Sequence, residues 1–467
     1  MNRSEETICA TATGTGGAIA VIRISGEASL NIVSKIFLPS DKTVNILENR
    51  GFTILLGDIY SGDEVIDEVL ISIFRSPHSY TCENSVEISC HASPYIVRKI
   101  LELLVKNGAI TALPGEFTQR AFLNGRIDLS QAEAVADVIA SSSGLAHKVA
   151  LNQMRGGFSA EIAKLRSELL NFASLIELEL DFGEEDVEFA DRKDLRDIIL
   201  RVKELADRLS ESFSAGNAIK NGIPVVIVGK PNSGKSTLLN AMLMEDKAIV
   251  SDLPGTTRDS IEDTIVIEGV EYRFIDTAGL RETTDVIESL GIKKTFEKIT
   301  QASVILLIDE INDTPEQINL RIKAIRDIIS ETGKKLIVLI NKYDTARPGQ
   351  ADNIRKLIHI ADNETLLFIS AREKTGLENL RSELSVAVVK GKISSDSVII
   401  TNIRHYEALT KVSLSLGRVL EGLDKSIPDD LIATDIRQAI HYLGEITGVI
   451  TSDEILGNIF RNFCIGK

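Results

Sequence analysis

A glycine-rich turn ending in Lys-Ser, an aspartate closing an apolar run, and an Asn-Lys-x-Asp cluster are the features of this chain best suited to handling a phosphorylated ligand. PVVIVG (224–229) has the pattern of a buried strand, runs into GKPNSGKS (229–236) and continues as TLLNAML, which is helical. Strand, glycine-rich loop and helix in that order make a phosphate cradle. Gly229 and Gly234 let backbone N–H groups turn inward around a β-phosphate. Lys235 reaches the β- and γ-phosphates, and Ser236 offers its hydroxyl to Mg²⁺. Asn232, Ser233 and Thr237 complete the candidate contacts of this loop. Taken alone, the stretch also reads as an ordinary glycine-rich turn, and its companions argue against that. YRFIDTAG (272–279) places Asp276 at the end of an apolar strand, where it can hold the Mg²⁺ shell through water. Thr277 and Ala278 lead to Gly279, whose N–H can meet a γ-phosphate. Between the two motifs, PGTTRD (254–259) supplies Thr257 as a second hydroxyl for Mg²⁺.

KLIVLINKYD (335–344) selects the base. Asp344 can accept from the ring N1–H and the 2-amino group of guanine. Adenine lacks that amino group and presents a bare acceptor at N1, so the carboxylate would go unpaired. Asn341 and Lys342 are expected to shape and cover the base. In LLFISAR (366–372), Ser370 and Ala371 place a backbone N–H where it can read guanine O6, and Arg372 stands where a lysine is commoner. GTP over ATP follows. Hydrolysis is harder to read. Small GTPases set a glutamine just after DxxG to orient water, and here that position is Leu280. Glu288, in LRETTDVIESLGI, is the polar candidate, although an exposed helix-start glutamate is the plainer reading of it from sequence. Asn232 could direct its amide oxygen at a monovalent cation standing in for an arginine finger.

These residues need scaffolds. The 467 residues are enough for roughly two to four domains, with 43% apolar and 26% charged residues as in ordinary soluble proteins. No apolar run is of membrane-spanning length, and MNRSEETICATATG has no signal pattern, so a cytoplasmic protein with no membrane partner is expected. Cys9, Cys82, Cys90 and Cys464 show no metal-like spacing and fit reduced thiols. A formal net charge of −16 repels phosphate backbones, so contact with RNA needs a local basic patch or a partner.

Strand-like AIAVIRIS (18–25), EVLISIF (68–74) and SVEIS (85–89), with a helical 94–108, give the first 120 residues an α/β or α+β character. From Asp128 to about Phe213 the periodicity is helical, broken by the acidic DFGEEDVEF (181–189), which reads as a solvated loop. Residues 222–385 alternate strand and helix, the mark of a parallel sheet covered on both faces. After about Gly391 the chain is helical again, and TSDEILGNIFRNF carries Thr451 and Glu454 at capping-box spacing. Helical stretches on both sides of the α/β unit suggest one helical domain interrupted by an insertion, with two separate bundles as the alternative.

Over its whole length the chain resembles the bacterial tRNA-modification GTPase family MnmE (TrmE). The resemblance rests on TATGTGGAIAVIRISG (11–26), PGEFTQRAFLNGRIDLSQAEAVADVI (114–139), DTAGLRETTDVIESLGI and the terminal FCIGK (463–467). It implies a multidomain α/β plus α protein. Residues 1–120 would be an N-terminal α+β domain that binds tetrahydrofolate and dimerises. Residues 121–215 and 386–467 would form a discontinuous helical domain around an inserted Ras-like P-loop GTPase domain, 216–385. The family acts as a homodimer with a flavin-dependent partner protein of the MnmG/GidA type, in a heterotetramer or larger complex, the FAD lying on the partner. Together they modify carbon 5 of the wobble uridine, position 34, of certain tRNAs with a tetrahydrofolate one-carbon unit.

By resemblance the nucleotide contacts extend over Ser251, Asp252, Leu253, Pro254, Gly255 and Thr256. K⁺ falls to Asn232, Ser251, Leu253 and Thr256, Mg²⁺ to Ser236 and Thr257, and the water-orienting role to Glu288. The contacts to 5-formyl- or methylene-tetrahydrofolate fall on Arg23, Glu87, Arg126 and Lys467. Arg126 stands where some members have lysine, and CENSVEISCHAS departs from the usual pattern at Cys82, Ala92 and Ser93. Cys464 is a candidate nucleophile because a nearby lysine favours thiolate, but a structural or recognition role is the plainer reading. A ribosome- or RNA-binding regulatory GTPase switch is the rival; GTGG (14–17) suits an RNA-clamping loop but has no neighbouring lysines. A folate enzyme with an incidental GTPase is a third.

Overall fold

Alternation of apolar and polar residues in the first 111 positions builds a sheet with one buried face. The computed structural model describes residues 3–14, 16–181, 192–247, 263–275, 299–329, 334–389, 398–425, 427–461 and 463–466. Strands β1 (Ile8–Thr11), β2 (Ile19–Ser25), β3 (Phe37–Pro39), β4 (Thr53–Ser61), β5 (Glu64–Phe74), β6 (Ser85–His91) and β7 (Ile110–Thr111) form it in the order β3-β4-β5-β6-β2-β1-β7. Helices α1 (Ser29–Ser34) and α2 (Pro94–Lys106) cover one face, where Ile22, Ile24, Ile71, Ile73, Val86 and Ile88 meet Val33, Ile100 and Leu104. The register fixes what the other face carries. Arg23 lies opposite Glu87, Glu87 opposite Ser72, and Ser72 opposite Ile54. Ile54 and Leu56 on this face are 67% and 47% exposed. The sequence reading did not single out β4, and it cut β5 short at residue 68. An edge-side strand whose alternate residues are apolar on both faces lacks the alternation that marks a half-buried strand.

The helical part draws on both ends of the chain. Helix α3 (Glu116–Leu123) is followed by α4 (Leu129–Ala140), which Asp128 and Gln131 start with a capping box, α5 (Gly144–Met154), α6 (Gly157–Asp181) and α7 (Arg192–Asn221). Far along the chain come α12 (Ile403–Asp424), α13 (Asp429–Thr447) and α14 (Asp453–Phe460). One core joins the two sets: Ile162, Leu169, Ile199 and Val202 pack with Leu409, Leu416, Ile436 and Leu443. The helical domain is therefore one discontinuous unit, as the interrupted reading expects. Helix α14 is capped by Ser452, whose hydroxyl accepts from Ile455 N, and not by Thr451. Of the acidic stretch 181–189, all but Asp181 lies outside the described residues.

Between α7 and α12 stands a six-stranded sheet. Its strands β8 (Ile223–Val228), β9 (Asp263–Ile267), β10 (Val270–Phe274), β11 (Val304–Glu310), β12 (Lys335–Asn341) and β13 (Glu364–Phe368) take the order β13-β12-β11-β8-β10-β9. All pairs are parallel except β9–β10. Helices α8 (Lys235–Lys247) and α11 (Leu377–Val389) cover one face, and α9 (Pro315–Ile329) with α10 (Gln350–Leu357) cover the other. The central strands β8, β11 and β12 are buried on both sides, which is why VVIV and LIVLI are continuous apolar runs. Helix α7 reaches β8 through Gly222 alone, at φ +77°. Leu145 of α5 packs against the sheet's core, and its N–H donates to Gly269 O at 3.1 Å.

A buried ionic cluster locks the two helical segments together. Glu133 of α4 accepts from Arg404 Nε at 2.9 Å and Nη2 at 2.8 Å, and its Oε2 lies 2.7 Å from His405 Nε2. Burial raises the Glu133 carboxyl, but the charge and hydrogen bond of His405 and then Arg404 outweigh it and bring it down from 4.5 to about 2. The unfolded chain therefore takes up this proton first, so the stabilisation is whole above pH 4.5 and drains as pH falls towards 2. Glu133→Gln leaves Arg404 without its counter-charge, a loss of about 3–5 kcal/mol for a buried pair. Calorimetry is expected to show the helical transition lowered at pH 7 and its acid dependence flattened; an unshifted transition would show that the cluster does not hold the segments.

Candidate functional site

The cradle arises where β8, buried among parallel neighbours, ends at residue 228 and the chain must reverse into α8 within six residues. Gly229 has φ +156°, Asn232 +62° and Gly234 +102°. A Cβ on Gly229 would run into the backbone Ile308 O, and one on Gly234 into the Asn341 side-chain Nδ2, and both positions have positive φ, so glycine is demanded at both. Helix α8 opens at Lys235 and presents its first N–H groups to the loop. Lys235 Nζ donates to Gly229 O at 3.0 Å and Lys230 O at 2.8 Å, and burial lowers its pKa. Such an ammonium gains by exchanging carbonyls for phosphate oxygens. Ser233 is buried, Ser236 half-buried, and Asn232 and Thr237 are exposed.

Asn341, only 3% exposed at the end of β12, ties the cradle to the base-side loop. Its Nδ2 donates to Ser233 O at 2.8 Å, and its Oδ1 accepts from Ala371 N at 3.0 Å. Both ends of the amide are thus spent on backbone, and Asn341, expected to shape and cover the base, braces the two loops. Of the Ser370–Ala371 pair expected to offer a backbone N–H to guanine O6, Ala371 directs its N–H at this brace. Asp344 is exposed, and Ser370 Oγ donates to its Oδ1 at 2.6 Å while accepting from Glu373 N at 3.2 Å. Lys342, in left-handed backbone at φ +61°, pairs with Glu310 at 2.6 Å. Arg372 is exposed. The arrangement offers a rigid phosphate pocket and, across one amide, a carboxylate suited to a base edge with two donors.

Sequence reasoning missed the charged rim. Lys230 Nζ lies 2.6 Å from Asp313 and 3.3 Å from Glu310, joining the loop to the end of β11. Beneath it Asp309 is fully buried; burial pushes its carboxyl up to about 6 although Arg321 lies 2.7 Å away. Lys230 within the loop motif was the available signal. Ser251, Asp252, Leu253, Pro254, Gly255, Thr256, Thr257, Asp276, Thr277, Ala278, Gly279 and Glu288 lie outside the described residues, as does Lys467.

A cavity of about 510 Å³ opens on the uncovered face of the first sheet. Arg23, Glu87 and Arg126 all line it, with Tyr80, Phe52 and Cys82. The cross-strand pairing of β2 and β6 sets Arg23 Nη2 2.8 Å from Glu87 Oε1. Arg126 Nη1 donates to Ser79 O. The C-terminus reaches this site: Arg23 Nη1 donates to Gly466 O at 3.5 Å, and Gly115 N to Cys464 O at 3.3 Å. Cys464 is exposed, and all four cysteines are free thiols. Mixed charge over aromatic walls suits a polar heteroaromatic ligand that also carries an anion.

A family model described as the MnmE helical domain matches residues 129–464, and one described as the GTP-binding protein TrmE N-terminus matches residues 7–126. The tRNA modification GTPase MnmE of Bacteroides thetaiotaomicron is 52% identical over 466 residues, covering 99% of this chain and 100% of that protein. The tRNA modification GTPase MnmE of Flavobacterium psychrophilum is 52% identical over 465 residues, covering 99% of each. Among solved structures, a GTP-binding protein of Sulfolobus solfataricus in complex with GDP aligns over 50% of this chain and 68% of that one, at 20% identity and a TM-score of 0.27. That score is too low to carry an argument.

Removing the brace tests the cradle. In Asn341→Ala, Ser233 O and Ala371 N lose their partner, at about 1–3 kcal/mol for each buried group. Affinity for a fluorescent GDP analogue is expected to fall at least about tenfold; an unchanged Kd would mean that the loop keeps its shape without the amide.

Proposed function

We propose, from the premise that this chain belongs to the MnmE (TrmE) family of tRNA modification GTPases, that it is a potassium-dependent GTP hydrolase modifying C5 of the wobble uridine, position 34. GTP hydrolysis in the service of tRNA modification comes with the family. Our reading adds a flavin-dependent partner protein of the MnmG/GidA type and a one-carbon unit from 5-formyl- or methylene-tetrahydrofolate. It also adds a homodimer in the cytoplasm and division of the chain at 120, 215 and 385. No helix among the described residues is long and apolar enough to cross a membrane. The observation that carries the reading is the coupling of the glycine-demanding loop at 229–236 to Asp344 through Asn341 and Ser370.

In this reading Lys235 and the α8 N–H groups hold the β- and γ-phosphates. Ser236 and Thr257 hold Mg²⁺, which when bound neutralises phosphate charge. Asn232, with Ser251, Leu253 and Thr256, holds K⁺, which when bound supplies positive charge beside the phosphates. The exposed, left-handed Asn232 suits a ligand on the open side of the loop. Glu288 orients water. Arg23, Glu87, Arg126 and Lys467 hold the folate: Glu87 accepts from pteridine donors and a guanidinium takes a carboxylate. The cavity and the Arg23–Glu87 pair support this. The apolar row of Leu38, Ile54, Leu56 and Leu70 on the same sheet face supports a homodimer closing over it.

Asp344→Asn converts an acceptor into a group that can donate, which suits xanthine better than guanine. Preference is expected to shift towards xanthosine triphosphate by about two orders of magnitude. The same variant is expected to leave C5 of the wobble uridine unmodified in a deletion strain, by nucleoside mass analysis. Full GTP use by Asp344→Asn would remove the base-reading role. Separately, turnover of the wild type is expected to be several-fold faster in KCl than in NaCl, and equal rates would exclude the cation.

A further inference from the structure

The folate cavity sets two guanidiniums beside one aromatic ring, and the family contacts do not include that ring. Tyr80 lies on the loop between β5 and β6, half-buried. The Arg23 guanidinium carbon is 5.4 Å from its ring centre and that of Arg126 is 5.3 Å from it. Arg23 also lies 5.5 Å from the ring centre of the fully buried Phe117. The Tyr80 hydroxyl is engaged 2.9 Å from Thr118 Oγ1 on α3. Two guanidiniums side by side on one wall repel; the electron-rich face of a shared ring offsets that repulsion. Arg23 spends Nε and Nη2 on Glu87 and directs Nη1 at Gly466 O. Arg126 spends Nη1 on Ser79 O, and its Nη2 has no hydrogen-bond partner among the described residues. Arg126 is thus the guanidinium available to an anion, and the ring decides where it stands.

We propose that Tyr80 is the positioning residue of this cavity: its ring fixes Arg126 beside the Arg23–Glu87 pair, so that the site selects a ligand joining a donor-edged heteroaromatic ring to a carboxylate tail. The inference rests on the folate reading above and goes beyond it, because it assigns the selection of the tail to a residue that donates nothing to the ligand. Removing the ring frees Arg126 and weakens a tailed ligand, while a ligand held by Glu87 alone is little affected.

The test titrates full-length wild type, Tyr80→Phe, Tyr80→Leu and Tyr80→Ala with 5-formyltetrahydrofolate and with 6-hydroxymethylpterin, which has the ring but no carboxylate tail. Thermal midpoints are measured alongside. Tyr80→Phe is expected within about twofold of wild type, and Tyr80→Leu and Tyr80→Ala about tenfold weaker for the folate, with pterin binding changed by less than about threefold. If Tyr80→Ala lowers the midpoint, Tyr80→Leu, which keeps bulk without a π face, decides. Wild type that binds no folate ends the folate reading and this inference together. Folate binding by wild type and Tyr80→Leu alike overturns the inference alone, as does Tyr80→Phe as weak as Tyr80→Ala, which would give the role to the hydroxyl and Thr118.

Discussion

One buried side-chain amide ties the glycine-rich loop at 229–236 to the loop that follows β13. Asn341 is buried and bonds through both ends, to Ser233 O on one loop and Ala371 N on the other. Those loops lie 108 and 30 residues away in sequence. Gly234 must be glycine because Asn341 Nδ2 occupies the space a Cβ would need. The cradle's geometry, the placing of Ser370 against Asp344, and the register of β12 beside β11 all meet at this contact. A buried amide with one end unsatisfied would be costly, so the two loops hold each other in place or neither holds.

The same economy appears at the other end of the molecule. Arg23 faces the cavity because Ile22 and Ile24 face the core, and the register of β2 with β6 then brings Glu87 opposite it. The tail reaches the same guanidinium through Gly466, which is at φ +92° and lies so close to Thr11 that no Cβ would fit. Gly115 is likewise hemmed in by Phe460 and Phe463. Two glycine-dependent approaches thus hold the last segment of the chain against its first 115 residues.

Local features were legible in the sequence. PVVIVG and GKPNSGKS declare strand and loop because the signal lies within a dozen neighbouring residues. Pairings across distance were not. Nothing in IRIS or VEIS says that Arg23 meets Glu87, since that depends on register 64 residues apart. TILLGDIYS escaped because its outward Ile54 and Leu56 blur the alternation that marks a strand. Thr451 looked like the cap of the last helix, yet Ser452 does the work, because either hydroxyl satisfies the pattern and only the backbone turn chooses. Asn341 was expected to shape and cover the base; the bracing by which it shapes the loops depends on the positions of two other segments.

The shared core of α6, α7, α12 and α13 has a consequence for synthesis. Residues 222–397 must emerge from the ribosome between its two halves, which at ~5–20 residues per second takes roughly 10–35 s. Throughout that interval Ile162, Leu169, Ile199 and Val202 have no Leu409, Leu416, Ile436 or Leu443 to pack against. The nascent first half therefore keeps this apolar face without its partner until α12 and α13 arrive.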